Sequence, residues 1–316
     1  MLYLIHSFFW KGGFLMKIFA PDYFGDFKCL MGDCRHSCCI GWEIDIDEDT
    51  AEIYKNIPGD FGKKLRENID FGEDCNSFRL CENGNCPFLN EKGLCEIIIN
   101  LGEGALSQVC DDHPRFRNFF DSRTEIGLGL CCEAAAKLVL EKESKTEIIE
   151  IDEDEEPAFL NEEETEIFSL REKVFGIFQN REKNIPERIS EALSLFETEL
   201  PEKSFGDWAE IFLCLERLDE KWTEVLENIK NTPAPPEIKN EISAEQLLCY
   251  FTFRHFTNFE PKDAIRFIVL AFYITEKASE QTGIFEAARL FSSEIEYSDE
   301  NIEKVIETFT ENEVEK

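Results

Sequence analysis

Basic residues are scarce in this sequence. Its 316 residues include 33 Lys and Arg against 67 Asp and Glu, which gives a formal net charge of −34. With no basic stripe to neutralise phosphates, the composition disfavours nucleic acid and anionic membrane surfaces as partners. An acidic surface would attract a basic partner or a lysine side chain, although acidity of this kind more often serves solubility.

Long apolar runs are also absent. No uninterrupted apolar stretch reaches about 18 residues, so no transmembrane helix is predicted and we expect a cytoplasmic protein. Residues 1–15 are apolar and aromatic, but Lys11 follows the apolar run and no small-residue cleavage site comes after it. We interpret 1–15 as a mis-assigned N-terminal extension, with the true start at Met16.

The glycine-rich fingerprint of a dinucleotide-binding fold is missing as well. Gly102 with Gly104, and Gly127 with Gly129, form short Gly-x-Gly pairs that do not open a strand–turn–helix unit. The sequence therefore does not predict a Rossmann-type cofactor domain.

Cysteine, by contrast, is abundant and clustered. Eleven of the 13 cysteines lie between Cys29 and Cys132. The odd total and the length of the chain favour metal thiolates over disulfides. The spacings C-x4-C-x3-C-C and C-x8-C match no zinc finger, and Gly41 stands where a radical S-adenosylmethionine loop would need a cysteine. The pattern indicates a metal site but leaves the metal open.

Closely spaced cysteines supply several ligands from one loop, and distant loops supply the rest. The predicted metal ligands are Cys34, Cys38, Cys39, Cys86, Cys95 and Cys110, with Cys29 and Cys131 as second-rank candidates. For any one of them the alternative is a buried free thiol. Cys214 and Cys249 lie on apolar faces of predicted helices, and we expect both in the core.

Periodicity predicts a mainly α protein. We expect an N-terminal cysteine-rich metal-binding domain with short strands and loops over 16–142, an acidic linker over 143–165 and a C-terminal helical domain over 166–316. An apolar stripe with i, i+3, i+4, i+7 spacing runs through 205–230. Strands are expected at 42–47, 97–99 and 123–130, and other helices at 133–142, 163–180, 186–200, 243–257, 261–280, 283–293 and 299–311.

The cysteine motifs resemble a known pattern. The segments that carry the likeness are 27–42, 86–95 and 110–115, followed by 105–110, 130–135, 250–256 and 292–301. Together they resemble the YkgJ-type zinc- or iron-chelating cysteine cluster and, more specifically, the FliB-type flagellin lysine-N-methylase family. Cys132 stands where that family usually has proline, and His113 where an aromatic residue is common.

The resemblance implies S-adenosylmethionine-dependent N-methylation of lysine side chains on flagellin, with a cysteine-ligated centre. We favour a 4Fe–4S cluster slightly over zinc, because no histidine completes a zinc pattern. Candidate catalytic or substrate-contacting residues are Trp42, Arg254, His255, Glu294 and Glu296, each of which also suits a structural role. The alternative function is a non-catalytic metal-binding interaction module or a chaperone-like module.

Overall fold

A computed structural model describes residues 14–41, 44–72 and 75–310 of the chain. Over these residues the chain forms seven strands and thirteen α-helices, with 55% of it helical and 14% in strands. The predicted mainly α fold is therefore confirmed. Trp42 and residues 1–13, most of the predicted N-terminal extension, lie outside the described residues.

The strands of the described part form two sheets. They are β1 Phe14–Pro21, β2 Asp45–Ile46, β3 Ile69–Phe71, β4 Asn76–Phe78, β5 Arg115–Phe119, β6 Arg123–Leu128 and β7 Ile148–Ala158. The larger sheet has the order β5–β6–β1–β7, and the smaller one has the order β2–β4–β3. In the larger sheet β1 runs parallel to β6 and antiparallel to β7. The predicted strand at 123–130 is confirmed as β6.

The helices fall largely where periodicity predicts them, including all those expected after position 240. They are α1 Glu48–Asn56, α2 Gly59–Glu67, α3 Glu96–Leu101, α4 Gln108–Asp112, α5 Glu133–Leu140, α6 Glu162–Phe178, α7 Ile185–Leu195, α8 Phe205–Leu213, α9 Glu220–Asn231, α10 Glu241–His255, α11 Pro261–Thr282, α12 Ile284–Phe291 and α13 Asp299–Thr310. A π-helical turn, Ser292–Glu296, follows α12. None of the helices in the described residues is both long and apolar enough to cross a membrane.

The acidic stretch 143–165 is not the linker that its composition predicts. About half of it, Ile148–Ala158, forms β7, which pairs with β1 along its length. Backbone hydrogen bonds to β1 stabilise the strand while its carboxylates stay in water, and Lys17 binds Glu150 at 2.6 Å. Local charge gave no sign of this pairing, because the partner strand is far away in sequence.

The isoleucine run at 97–99 is helical rather than a strand. It lies in α3, where Glu96 occupies the first turn and Gly102, with a φ of 89°, ends the helix. Ile97 is buried while Ile99 is 57% exposed. Residues two apart share a face in a strand but not in a helix, so this burial pattern agrees with α3.

The apolar stripe over 205–230 belongs to two helices instead of one. The chain leaves α8 at Leu213 and enters α9 at Glu220, where Asp219 caps the new helix by accepting a hydrogen bond from the Lys221 backbone N–H. Leu218, which fits the stripe, lies in the connection and is 71% exposed. An apolar stripe with helical spacing does not reveal a helix cap that lies within it.

The break also changes the environment of one cysteine. Cys214, predicted to be a core residue, is exposed just beyond the end of α8. Cys249, on α10, is buried as predicted.

Apolar side chains form two cores in the described structure. The larger, or helical, core is built mainly from α5–α13 and includes Trp222 and Phe291. The smaller, or cysteine-rich, core is built from α1–α3 and the three-stranded sheet and includes Phe88. The division into two domains stays a prediction, and α5, which falls within the predicted cysteine-rich domain 16–142, packs in the helical core.

Candidate functional site

Four cysteines meet at the cysteine-rich core. These four, called the inner thiols here, are Cys39, Cys86, Cys95 and Cys110. The Cys86 backbone N–H donates to the Cys39 carbonyl at 2.8 Å, which brings two distant segments together. Cys95 occupies the N-cap position of α3, and Cys110 lies in α4. Burial raises the pKa of Cys86 to about 12 and that of Cys110 to about 11.

A second group lies between the first loop and α5. These outer thiols are Cys29, Cys34, Cys38 and Cys132. Burial raises the pKa of Cys34 to about 11, and the nearby Cys132 and Cys29 thiols add to the rise. The loop reaches α5 because the His36 backbone N–H donates to Glu133 Oε1 at 2.7 Å.

The six first-rank ligand candidates are therefore divided between two groups. Cys38 and Cys39 connect them, since a hydrogen bond from the Cys38 thiol lowers the pKa of Cys39 to about 7. Neighbouring residues in the sequence thus belong to different groups, which spacing alone could not reveal.

Thiol side chains suit a thiophilic metal, but the described cysteines are not arranged as a metal site. No disulfide bond joins any of the cysteines that the structure describes. Within residues 14–41, 44–72 and 75–310, no group of three or more His, Cys, Asp or Glu side chains is arranged to hold a metal ion. A metal centre would have to draw the thiols together, so binding would be coupled to a local change in structure.

Cys131, a second-rank candidate, faces the helical half. Burial raises the pKa of its thiol to about 11, opposed by a hydrogen bond with the Tyr297 hydroxyl. The backbone just before Cys131 is also tied to the helices, because the Leu130 N–H donates to the Tyr250 hydroxyl at 3.3 Å.

A buried network centred on Glu296 lies behind this segment. Tyr250 Oη donates to Glu296 Oε2 at 2.8 Å, and His255 Nε2 lies 2.7 Å from Glu296 Oε1. Arg254 donates to the Tyr250 hydroxyl at 2.8 Å and to the Glu296 backbone carbonyl at 3.0 Å. Residues four apart share a helix face, so α10 presents Tyr250 and Arg254 together to the π-helical turn.

Aromatic rings fix the guanidinium of Arg254 from two sides. It lies 4.5 Å from the ring centre of Phe116 and 4.6 Å from that of Tyr297. These contacts add cation–π attraction to the ion pair. Gly129 packs so closely that a side chain there would collide with the Tyr297 hydroxyl and approach Arg254.

The network is charged but close to neutral overall. Burial acts to raise the pKa of Glu296, but the Arg254 charge and the His255 hydrogen bond outweigh it and hold that pKa at about 2. Burial lowers the pKa of His255 in spite of the adjacent carboxylate. At neutral pH the network therefore holds a carboxylate, a guanidinium and a neutral imidazole.

The tautomer of His255 follows from its partner. An ionised carboxylate only accepts hydrogen bonds, so Nε2 carries the proton and donates to Glu296. His255 Nδ1 is then an acceptor, and it is buried without a hydrogen-bond partner among the described residues.

Glu294 does not join this network. Its carboxylate accepts the backbone N–H groups of Leu218 at 2.8 Å and Asp219 at 2.9 Å. It therefore holds the connection between α8 and α9. Of the residues that the sequence singles out, the structure brings together Arg254, His255 and Glu296, and it places Glu294 elsewhere.

Sequence reasoning missed Phe116, Gly129, Tyr250 and Tyr297 as parts of the network. The one available signal is the spacing of Tyr250 and Arg254 on a single helix face. Phe116 and Gly129 come from the large sheet region, and no local pattern connects them to α10.

The fold and this site define a mainly helical protein in which a buried Arg–Glu–His network supports a cysteine-rich segment. Two proteins named lysine-N-methylase, from Salmonella choleraesuis (strain SC-B67) and Salmonella typhimurium (strain LT2), are each 31% identical to the chain over 134 residues. The flagellar biosynthetic protein FliU of Salmonella muenchen is 30% identical over 134 residues, which cover 78% of FliU. The chain belongs to the flagellin lysine-N-methylase (FliB-type) family.

The extent of these likenesses is limited. Each covers 40% of this chain, which spans 33% of the length of either lysine-N-methylase. No protein-family model and no solved structure matches the chain. The family resemblance is thus confirmed, while the metal-chelating cysteine cluster stays a prediction.

Proposed function

We propose that the chain acts in S-adenosylmethionine-dependent N-methylation of lysine side chains on flagellin. The observation that carries this proposal is the likeness, at 31% identity over 134 residues, to two proteins named lysine-N-methylase. The likeness to FliU, named a flagellar biosynthetic protein, supports a flagellar substrate. The cytoplasm is the location that we propose for this activity.

The chemistry sets clear requirements for the protein. The lysine nitrogen forms a bond to the donor's methyl carbon as the carbon–sulfur bond breaks, and the nitrogen releases a proton. S-adenosylmethionine supplies the methyl group when bound. A lysine with a pKa near about 10.4 must first lose its charge, which desolvation promotes. The formal charge of −34 would draw a lysine-bearing segment to the surface before that desolvation.

The Glu296 network has a positioning role in this proposal. The side chains of Arg254, His255 and Glu296 are at most 7% exposed, so they do not meet a protein substrate directly. Tyr250 instead binds the Leu130 backbone N–H, next to Cys131. The network would thus hold the segment that carries Cys131 and Cys132 at a fixed place beside the other outer thiols, Cys29, Cys34 and Cys38.

A cysteine-ligated centre is part of the proposal, and we favour a 4Fe–4S cluster over zinc. The support is the number of thiols available, four in the inner group and four in the outer group. Anaerobic metal and acid-labile sulfide analysis of the isolated protein tests it, with iron and sulfide as the expected result. Stoichiometric zinc without iron or sulfide would refute the cluster.

The activity is tested by intact mass of purified flagellin after incubation with the metal-loaded full chain and S-adenosylmethionine. We expect mass to rise in steps of one methyl group. Cys86→Ala should abolish the gain, whereas Cys214→Ala is the matched control, because Cys214 is exposed and lies outside both thiol groups. An unchanged flagellin mass with the wild-type protein would overturn the proposed activity.

The alternative is a non-catalytic module that binds metal and flagellin or acts as a chaperone for it. The chain spans only 33% of the length of the two lysine-N-methylases, and this observation favours a non-catalytic module. It predicts co-purification of flagellin with the chain and no gain in mass under the same conditions.

A further inference from the structure

A groove beside the outer thiols has no role in the site described so far. It is a cavity of about 630 Å³ between the segment 22–30 and α5. Its size lies within the range of about 300–1,000 Å³ that is usual for small-molecule sites. Leu30, on one wall, follows Cys29, and Ala134, on the other, comes two residues after Cys132. The groove therefore opens next to the outer thiols.

An ion pair between Lys142 and Asp22 forms one end of the groove. Lys142 Nζ lies 3.1 Å from Asp22 Oδ2, and its side chain is only 11% exposed. The Lys142 ammonium also donates to the Lys145 carbonyl at 2.9 Å, and Asp22 Oδ1 accepts the Glu147 backbone N–H at 3.3 Å. This wall is held in place from both sides.

The rest of the groove carries exposed charged side chains of both signs. Lys28 and Lys137 supply two ammonium groups, and Asp26 and Glu141 supply two carboxylates. None of these four side chains has a hydrogen bond or ion pair among the described residues. The apolar surface between them comes from Leu30 and Leu138. Such a lining suits a zwitterion attached to a less polar body.

We propose that this groove binds the methyl donor, with the lysines on the α-carboxylate of its amino-acid end and the carboxylates on its α-ammonium. This assignment rests on the proposed function, which requires S-adenosylmethionine but does not say where it binds. Charge-assisted hydrogen bonds of this kind are the strong ones, so the two lysines should dominate recognition of the carboxylate.

A second groove provides a matched comparison. It has a volume of about 610 Å³, is lined by Phe196, Lys262 and Asp263 among others, and lies at the α10–α11 and α6–α7 side of the helical core. Its walls carry no cysteine. The substitution Lys262→Ala therefore removes a lysine from a groove of similar size without touching the proposed site.

The test is equilibrium dialysis of the full chain against two radiolabelled probes. S-adenosylhomocysteine carries the amino-acid end, whereas 5′-methylthioadenosine lacks it. We expect wild type to prefer S-adenosylhomocysteine. The double variant Lys28→Ala/Lys137→Ala should weaken S-adenosylhomocysteine binding about tenfold or more while leaving 5′-methylthioadenosine binding unchanged. Lys262→Ala should bind both probes like wild type.

Three results would overturn the proposal. The double variant could lose affinity for both probes equally, or Lys262→Ala could weaken S-adenosylhomocysteine binding as much as the double variant does. The third is that wild type does not bind S-adenosylhomocysteine. The binding readout is independent of methyl transfer. Lysine-dependent binding without any methylation of flagellin would leave the groove assigned and would refute the proposed activity alone.

Discussion

The helical core and the cysteine-rich core accommodate buried polar groups in opposite ways. In the helical half, several buried charges are closed into ion pairs, such as Arg188 with Glu245 at 2.9 Å and Arg254 with Glu296 at 3.5 Å. In the cysteine-rich core, the comparable groups are the inner thiols, and no cation is among the described groups that shift their pKa values. The first arrangement is complete as it stands, whereas the second would be completed by the metal centre that we propose.

This difference explains why the two halves should respond differently to perturbation. Breaking a closed pair leaves an isolated charge, which is expensive in a low-dielectric interior. Removing one cysteine from a set of thiols leaves only neutral thiols behind. Packing around the site becomes poorer, but no charge is left isolated in the interior. Four measurements test this difference between the two cores.

The largest effect is expected from Glu296→Gln. The substitution keeps the shape of the side chain but leaves Arg254 buried without its carboxylate, which should cost about 3–5 kcal/mol of unfolding free energy. Urea unfolding followed by tryptophan fluorescence measures it. Lys304→Ala, which breaks the exposed Lys304–Glu300 pair, is the control and should leave the midpoint unchanged. Equal effects of the two variants would contradict the closed-pair account.

Metal loading should act on the other half. A metal or cluster that binds the folded thiols should stabilise their surroundings by about 3–4 kcal/mol at concentrations 100 to 1,000 times its dissociation constant. Hydrogen exchange with and without the metal should show slower exchange in α1–α3 and little change in α10–α13. Uniform slowing across both regions would show that the two cores do not respond separately.

A smaller effect is expected for Glu276, a buried carboxyl in the helical core. Burial and the nearby Glu280 charge raise its pKa to about 7. Because the folded pKa is raised, its contribution to stability is complete below the unfolded pKa and is lost as pH rises towards 7. Glu276→Gln should therefore stabilise the protein by about 1–3 kcal/mol at pH near 8 and have little effect at pH near 4.

Thermal unfolding of wild type and Glu276→Gln over this pH range checks the sign. Glu280→Gln is a useful companion, since it removes the neighbouring charge and leaves Glu276 buried. A Glu276→Gln variant that is less stable than wild type at high pH would show that this carboxylate is stabilised when charged.

The smallest effect is expected from Cys214→Ala. The side chain is exposed, so the substitution should change unfolding free energy by no more than about 0.5 kcal/mol and should leave the metal content intact. Cys86→Ala removes a buried inner thiol and should lose metal. Loss of metal in Cys214→Ala would mean that the thiol groups defined by the structure are incomplete.

The helical half was largely predictable because its apolar residues repeat with the helical period. Helices α6, α10 and α11 lie close to their predicted ranges. The failures share one cause, which is pairing or capping that a local window does not contain. Asp219 starts a new helix within an apolar stripe, and β7 takes its structure from β1.

The candidate side chains of the site could be named from the sequence, but their geometry could not. Cysteine density identified the thiols, but the chain separates the adjacent Cys38 and Cys39 into different groups. Arg254 and Glu296 were both candidates, yet their pairing across the helical core depends on the packing of α10 against the π-helical turn. Long-range packing of this kind has no signature in a single sequence.

The most direct test of the central claim identifies the atom that receives the methyl group. Flagellin would be incubated with the metal-loaded full chain and S-adenosylmethionine carrying a deuterated methyl group, then digested and mapped by tandem mass spectrometry. The account predicts deuterated methyl groups on lysine ε-nitrogens of flagellin. A complete absence of label, or label confined to residues other than lysine, would contradict it.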